Sequence, residues 1–211
     1  MSSNLLMVFV KNPILGRVKT RLAKSLGHKR ALSIYKQLLS HTRLVVKPLD
    51  VDVQVWYDSH LPENDYWDSD EISHDKKLQL GHNLGERIKN AFQTAFDGGY
   101  KRVVIIGSDN ADISSDIVNQ AFTALDNKDA VIGPAEDGGY YLLGINQMQE
   151  QLFTDIPWST EQVFQRTVDE LEHQGNDYEQ LETLRDIDTA DDWLQFLSGR
   201  PRFPKRYAKA L

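Results

Sequence analysis

Five short apolar runs punctuate the chain: LLMVFV at 5–10, DVQVWY at 52–57, RVVIIG at 102–107, AVIGPA at 130–135 and YYLLGI at 140–145. Each has the length of a strand, and the stretches between them repeat apolar residues at helical spacing. One such stripe runs through Ala31, Tyr35, Leu38, Leu39 and Val45, a second through Leu84, Ile88, Ala91, Phe92 and Phe96, and a third through Ile117, Val118, Ala121 and Leu125. Near-continuous apolar strands separated by amphipathic helices are buried on both faces. The pattern therefore predicts an α/β fold, a three-layer α/β/α sandwich around a mostly parallel, Rossmann-like sheet. Ser159 followed by Gln162 reads as a capping box opening a helix over about 160–174. Trp193, Phe196 and Leu197 mark a last helix after Asp188, with Thr189 suited to cap it.

At 211 residues the chain suits one well-filled core, and we expect one domain over residues 1–198. The remainder, GRPRFPKRYAKAL at 199–211, reads as a basic C-terminal tail. LLMVFV is too short to span a membrane and has no basic stretch before it, so neither a membrane partner nor a signal peptide is expected, and a cytoplasmic address is the default. The chain has no cysteine, which excludes disulfides and thiolate metal sites. No histidine pair has helical ligand spacing, so any metal must sit on oxygen ligands.

Charge sharpens this picture. The formal net charge is -7, yet residues 1–49 carry ten Lys or Arg and no acid. An acidic remainder repels nucleic acid and favours a small anion held at one end of the molecule. The basic residues concentrate in KNPILGRVKTRLA, directly after the first apolar run, with a helix expected to start near Val18. Helix amides and converging cations make an anion site. Each cation about 4 Å from a phosphate oxygen contributes roughly 4 kcal/mol before desolvation at an effective dielectric near 20. Neither a P-loop nor a Gly-x-Gly-x-x-Gly fingerprint is present.

In open α/β sheets ligands lie beyond the carboxyl ends of the strands. After the first run come Lys11, Arg17, Lys19 and Arg21; after the third comes GSDNADI, with Asp109 as a candidate Mg²⁺ ligand and Asp112 or Ser114 as the cap of the next helix. GPAEDGGYYLLG puts Asp137, Gly138 and Gly139 between two strands, where a hairpin with glycines at positive φ accounts for the Gly pair. The segment RDIDTADDW offers Asp186 and Asp188, either as a second metal carboxylate or as charge for the last helix. A DxDxT pattern that closes a chain after LETLR is not the haloacid-dehalogenase arrangement, which opens on it.

In this order the segments resemble the nucleotide-diphospho-sugar transferase superfamily, of the glycosyltransferase-A-like fold, over residues 5–197. The resemblance is closest to bacterial glycosyltransferases of the arsenosugar-biosynthesis type, and the first loop is also similar to that of phospholactate guanylyltransferases. It implies an Mg²⁺ (or Mn²⁺) ion on Asp109 and Asp188, with Asp186 as the alternative to the latter, and Lys19 and Arg21 as catalytic cations helped by Lys11 and Arg17. It further implies nucleotide contacts from Asn83, Gly85, Glu86 and Arg87 in GHNLGERIKNAF, and acceptor contacts from Asp137, Gly138 and Gly139; Trp158 and Ser159 of PWST, a further family signature, are candidates for base or acceptor contact. The expected partners are a nucleoside triphosphate or nucleotide sugar and a small acceptor, in a glycosyl or nucleotidyl transfer. The chain departs from the family at Asn83, where Asp is usual, and at Asn110 and Ala111, where Cys-Pro is usual. The departures at Asn83 and Asn110 lend some support to the alternative reading, a nucleotide-binding module that keeps the fold without turnover.

Overall fold

The computed structural model describes residues 2–63, 65, 67, 68 and 75–199; most of the basic tail, 200–211, lies outside the described residues. Strands β1 (Asn4–Val10), β2 (Asp52–Tyr57), β3 (Asp75–Leu78), β4 (Arg102–Ile106), β5 (Ala130–Pro134), β6 (Tyr140–Ile145) and β7 (Tyr178–Gln180) form one seven-stranded sheet in the order β3-β2-β1-β4-β6-β5-β7. Pairing is parallel except at β6, which runs antiparallel to both β4 and β5. The helices are α1 (Thr20–Leu26), α2 (His28–Val46), α3 (Leu84–Asp97), α4 (Ser115–Ala124), α5 (Val163–His173) and α6 (Ala190–Ser198).

Alternation along β1 explains the layering. Leu6, Val8 and Val10 face Tyr35 and Leu39 of α2 and Val118 and Phe122 of α4, whereas Leu5 and Met7 face Ile88 and Phe92 of α3 and Leu171 of α5. A strand covered on both faces must be apolar at every position, which is why LLMVFV shows no polar alternation. A third cluster, with Leu22, Ile34, Ile187 and Trp193 at its centre, packs α6 against α1 and α2. That contact brings the end of the chain back to its beginning.

Several local expectations are corrected. The first helix starts at Thr20, with Lys19 as its N-cap, rather than near Val18. No capping box opens α5: its N-cap is Gln162, without a side-chain cap, and Ser159 instead adopts a left-handed conformation at φ 66°. In the β5–β6 hairpin only Gly138 has positive φ, at 86°. A Cβ there would also lie 2.1 Å from the Glu161 carbonyl oxygen. Gly138 is thus required twice over, by its backbone angle and by the close approach of the chain leading into α5. The capping expectations for the other helices hold. Ser114 accepts from the Ile117 amide, and Thr189 and Asp192 form a reciprocal capping box on α6.

Candidate functional site

The sheet reverses direction of build at β1. From there the chain proceeds outward to β2 and β3, then returns to place β4 on the other side of β1. The crevice beyond the carboxyl ends of β1 and β4 is the switch point at which such sheets hold ligands. The loop after β1 and the Gly107–Asp109 segment after β4 both empty into it.

Lys19 sits at its centre. Its Nζ lies 3.0 Å from Asp109 Oδ1 and 3.0 Å from Asp188 Oδ1, and its side chain is only 4% exposed. Arg21 approaches the other Asp188 oxygen at 3.6 Å and is itself largely exposed. Burial works against the Lys19 ammonium, but Asp109 and then Asp188 outweigh it and hold its pKa above the ordinary 10.5. Asp188 is the mirror case: burial raises it, Lys19 and Arg21 more than compensate, and its pKa falls below 3.8. The Lys19 backbone is in the left-handed region, at φ 47° and ψ 48°. A non-glycine residue held there carries strain on the order of 1 to 3 kcal/mol, which surrounding contacts must overcome.

Those contacts are a lattice of backbone ties. The Ile187 amide donates to the Asp109 carbonyl at 3.0 Å. Asn110 is buried; its Oδ1 accepts from the amides of Asp112 and Ile113, and its Nδ2 donates to Asp186 Oδ1 at 3.1 Å. Asp192 Oδ2 accepts from the amides of Asp188 and Thr189. The two acidic segments, far apart in sequence, are thereby pinned side by side. On the other wall, buried Tyr35 Oη accepts from the Lys11 amide at 2.8 Å and lies 3.2 Å from Ser108 Oγ. Asn12 accepts from Ser59 and donates to the His60 carbonyl, anchoring the loop after β1 to the loop after β2. Burial pushes the Tyr35 phenol upward, with the Asp109 charge adding to it.

The Asp186 carboxyl is raised to about 7, chiefly by burial and then by the neighbouring Asp109 charge. Its one oxygen is taken by Asn110, so of the acids expected here Asp109 and Asp188 are the pair that share a cation. Among the described residues no group of three or more His, Cys, Asp or Glu could cage a metal. Two carboxylates around a shared positive charge nonetheless fit a hard divalent ion that keeps waters and takes phosphate oxygens, as Mg²⁺ does.

Two clefts meet at this point. A cationic cleft of about 290 Å³ is lined by Lys11, Arg17, Lys19, Arg21, Tyr35, Asp109 and Asp188. A second cavity of about 360 Å³ shares Arg21 and Asp188 with it and continues past Asp186, Asp137, Gly139 and Ser159 to a wall that includes Phe9, Leu84, Ile88, Tyr140 and Trp158. The segment 81–87 contributes less directly than its sequence suggests. Asn83 caps α3, Glu86 accepts from the His82 amide and from Asn83 Nδ2, and Arg87 donates to the Gly81 carbonyl. Gly85 has a different part: a Cβ on it would lie 2.0 Å from Trp158 Nε1, so the missing side chain seats the indole in the cavity wall. Gly138 lies behind that wall. Tyr35, Phe9 and Tyr140 are site residues that sequence reading assigned to the core or passed over, and Asn110 stood out only as a departure from the resembled family. Only Tyr140, beside the glycine pair, carried a local signal.

The seven-stranded, mostly parallel sheet is that of the nucleotide-diphospho-sugar transferase fold. The family described as "Uncharacterized protein conserved in bacteria (DUF2064)" matches residues 42–160, and the chain belongs to it. The crystal structure of a "putative nucleotide-diphospho-sugar transferase" from Desulfovibrio desulfuricans G20 is 33% identical, with a TM-score of 0.88 over 99% of this chain and 94% of that one. The fold extends to 4-diphosphocytidyl-2C-methyl-D-erythritol synthase from Anaerococcus prevotii DSM 20548, at 10% identity and TM-score 0.58 over 92% of this chain and 96% of that one. It extends also to Rv0371c from Mycobacterium tuberculosis H37Rv in complex with manganese, at 12% identity and TM-score 0.51 over 93% and 99%. No curated protein matches the chain. No helix among the described residues is long and apolar enough to cross a membrane.

Proposed function

We propose that the protein is a divalent-cation-dependent transferase that binds a nucleotide sugar or a nucleoside triphosphate in the cationic cleft and moves a glycosyl or nucleotidyl group to a small acceptor. The observation that carries this reading is the meeting of Lys19 with Asp109 and Asp188, 3.0 Å from each. Buried ion pairs of this kind are poor stabilisers on their own, and a strained backbone beneath one is a further cost without a structural return. A polyphosphate site accounts for both. Asp109 and Asp188 would hold the ion, which supplies Lewis-acid charge at the phosphate oxygens. Lys19 and Arg21 would neutralise charge growing on the leaving phosphate, with Arg17 and Lys11 completing the anion site from its exposed side. A protein of the same fold, Rv0371c, has been crystallised in complex with manganese.

The departures at Asn83 and Asn110 do not favour loss of turnover. Asn83 makes the helix cap that an aspartate would make, and Asn110 ties Asp186 to the Asp109 loop without touching the shared cation. The arsenosugar-type resemblance points to glycosyl transfer and the phospholactate-type resemblance to nucleotidyl transfer. Incubation with each donor and Mg²⁺ separates them: release of a nucleoside diphosphate marks the first, release of pyrophosphate the second. Tight nucleotide binding with neither product under any acceptor would return the protein to the class of binding modules.

A further inference from the structure

The second cavity has a composition that restricts what can enter it. Four acidic residues line it, Asp137, Glu161, Asp186 and Asp188, the last already paired with Lys19, against one lining cation among the described residues, Arg21. Arg21 is moreover shared with the cationic cleft and lies 3.6 Å from Asp188. Apart from Ser159 and Thr160, the remaining wall is mainly apolar and aromatic, with Phe9 of β1, Leu84 and Ile88 of α3, and Trp158. Leu84 is 43% exposed at the cavity rim, while the indole of Trp158 is fixed by Gly85 beneath it and by an edge-on contact with the Tyr140 ring.

We infer that the second substrate is an uncharged or cationic molecule with an apolar or ring-shaped body and reacting hydroxyls, and that phosphorylated acceptors are excluded. An anion entering this cavity would leave water for a pocket whose fixed charge is already negative. Among the described residues Arg21 is the one cation lining the cavity, and it already lies 3.6 Å from Asp188; like-charge juxtaposition discriminates strongly in a partly closed site. A hydroxyl-bearing ring meets the opposite conditions. Its hydroxyls can donate to the Asp137 carboxylate and can exchange hydrogen bonds with the Asp186 carboxyl, which accepts when ionised and donates when protonated, and its faces can lie on Trp158 and Phe9. The inference rests on the proposed transferase reading and narrows it. Nucleotidyl transfer to a phosphate monoester would require a second anion beside the first, whereas glycosyl transfer to a hydroxyl would not.

Four probes test the charge and the apolar component separately: phenyl β-D-glucopyranoside, glucose, phenyl phosphate and glucose 1-phosphate. Each is titrated calorimetrically into the full chain with Mg²⁺ and a saturating nucleoside diphosphate. The phenyl glucoside is expected to bind at least ten-fold more tightly than either phosphate and several-fold more tightly than glucose. Leu84→Ser is expected to erase the advantage of the phenyl group, and Asp137→Lys to narrow or reverse the discrimination against phenyl phosphate. Leu84 is exposed and Asp137 lies at a hairpin tip, so both variants should fold, and circular dichroism verifies it. Phosphates binding as well as the glucoside, no binding of either neutral probe, or a preference unmoved by both variants would overturn the inference. Separate titration of the nucleoside diphosphate distinguishes the two levels. If the nucleotide binds and the probe preference fails, only the acceptor class is wrong; if no nucleotide binds, the transferase reading is.

Discussion

The cationic cleft and the apolar cavity adjoin each other, sharing Arg21 and Asp188, but they are built by opposite routes. The cleft is made of charges placed where strands end, held by hydrogen bonds and one shared ammonium. The cavity is made of core-type residues left incompletely covered, held by two close backbone approaches at Gly85 and Gly138. The first should therefore fail electrostatically and the second sterically. Substitutions in one should leave the other's ligand largely alone.

The largest effect expected is on chemistry. Asp109→Ala should lower turnover on the productive donor by on the order of 10² or more, the scale of losing one electrostatic stabiliser, measured by initial rates at saturating donor and Mg²⁺. Unchanged rates would remove Asp109 from the cleft's function. Lys19→Met comes next. It removes the cation that both carboxylates share, so nucleoside diphosphate affinity should fall by roughly ten-fold or more, the equivalent of about 1.4 kcal/mol. The same change should destabilise the unliganded fold by about 1 to 3 kcal/mol in urea unfolding, less than a fully buried pair because Asp109 and Asp188 are each about a third exposed.

In the cavity, Trp158→Ala should raise the KM for the second substrate several-fold while the dissociation constant of the nucleotide stays within two-fold, by the order of effect usual for one aromatic contact. Gly85→Ala tests the same wall from behind. The added methyl overlaps the indole, and a thermal-shift loss corresponding to about 1 to 3 kcal/mol is expected from overpacking. A nucleotide affinity that falls with either variant would show that the two regions are one.

The smallest effect is in pH. Asp188 titrates below its ordinary 3.8 in the folded chain, so its contribution is present above that pH and lost as pH falls through the lower folded value. Lys19 titrates above 10.5, so its contribution is complete below that pH and lost as pH rises through the higher folded value. From these two groups unfolding free energy should sag below about pH 4 and above about pH 10.5, while Asp186, raised to about 7, lowers it as pH climbs from about 4 to 7. Lys19→Met should flatten both limbs.

The same contrast explains what could be read from the sequence. Buried β1, β2, β4, β5 and β6 are apolar at nearly every position, and their ends carry the charges, so Lys19, Arg21, Asp109 and Asp188 stand out by position and chemistry together. The edge strands were illegible. DKKL of β3 and YEQ of β7 pair on one side only and face solvent, so nothing in them demands an apolar run. The cavity was illegible for a different reason: Phe9 and Ile88 follow the periodicity of core residues, and only the three-dimensional gap between β1, α3 and the segment before α5 exposes them. Asn110 was misjudged because its value lies in bonds to residues on either side of a crossover. Ser159 was misjudged because a capping motif competes with other turn geometries, and here a left-handed turn won.

Lys19, Asp109 and Asp188 are proposed to receive a metal ion and a polyphosphate together. Mn²⁺ binding, followed by electron paramagnetic resonance with and without a nucleoside diphosphate, tests it most directly. The nucleotide should tighten Mn²⁺ binding to the wild-type protein by ten-fold or more, with the enhancement absent in Asp188→Ala. Equal Mn²⁺ affinity with and without nucleotide, or an enhancement that survives loss of Asp188, would contradict it.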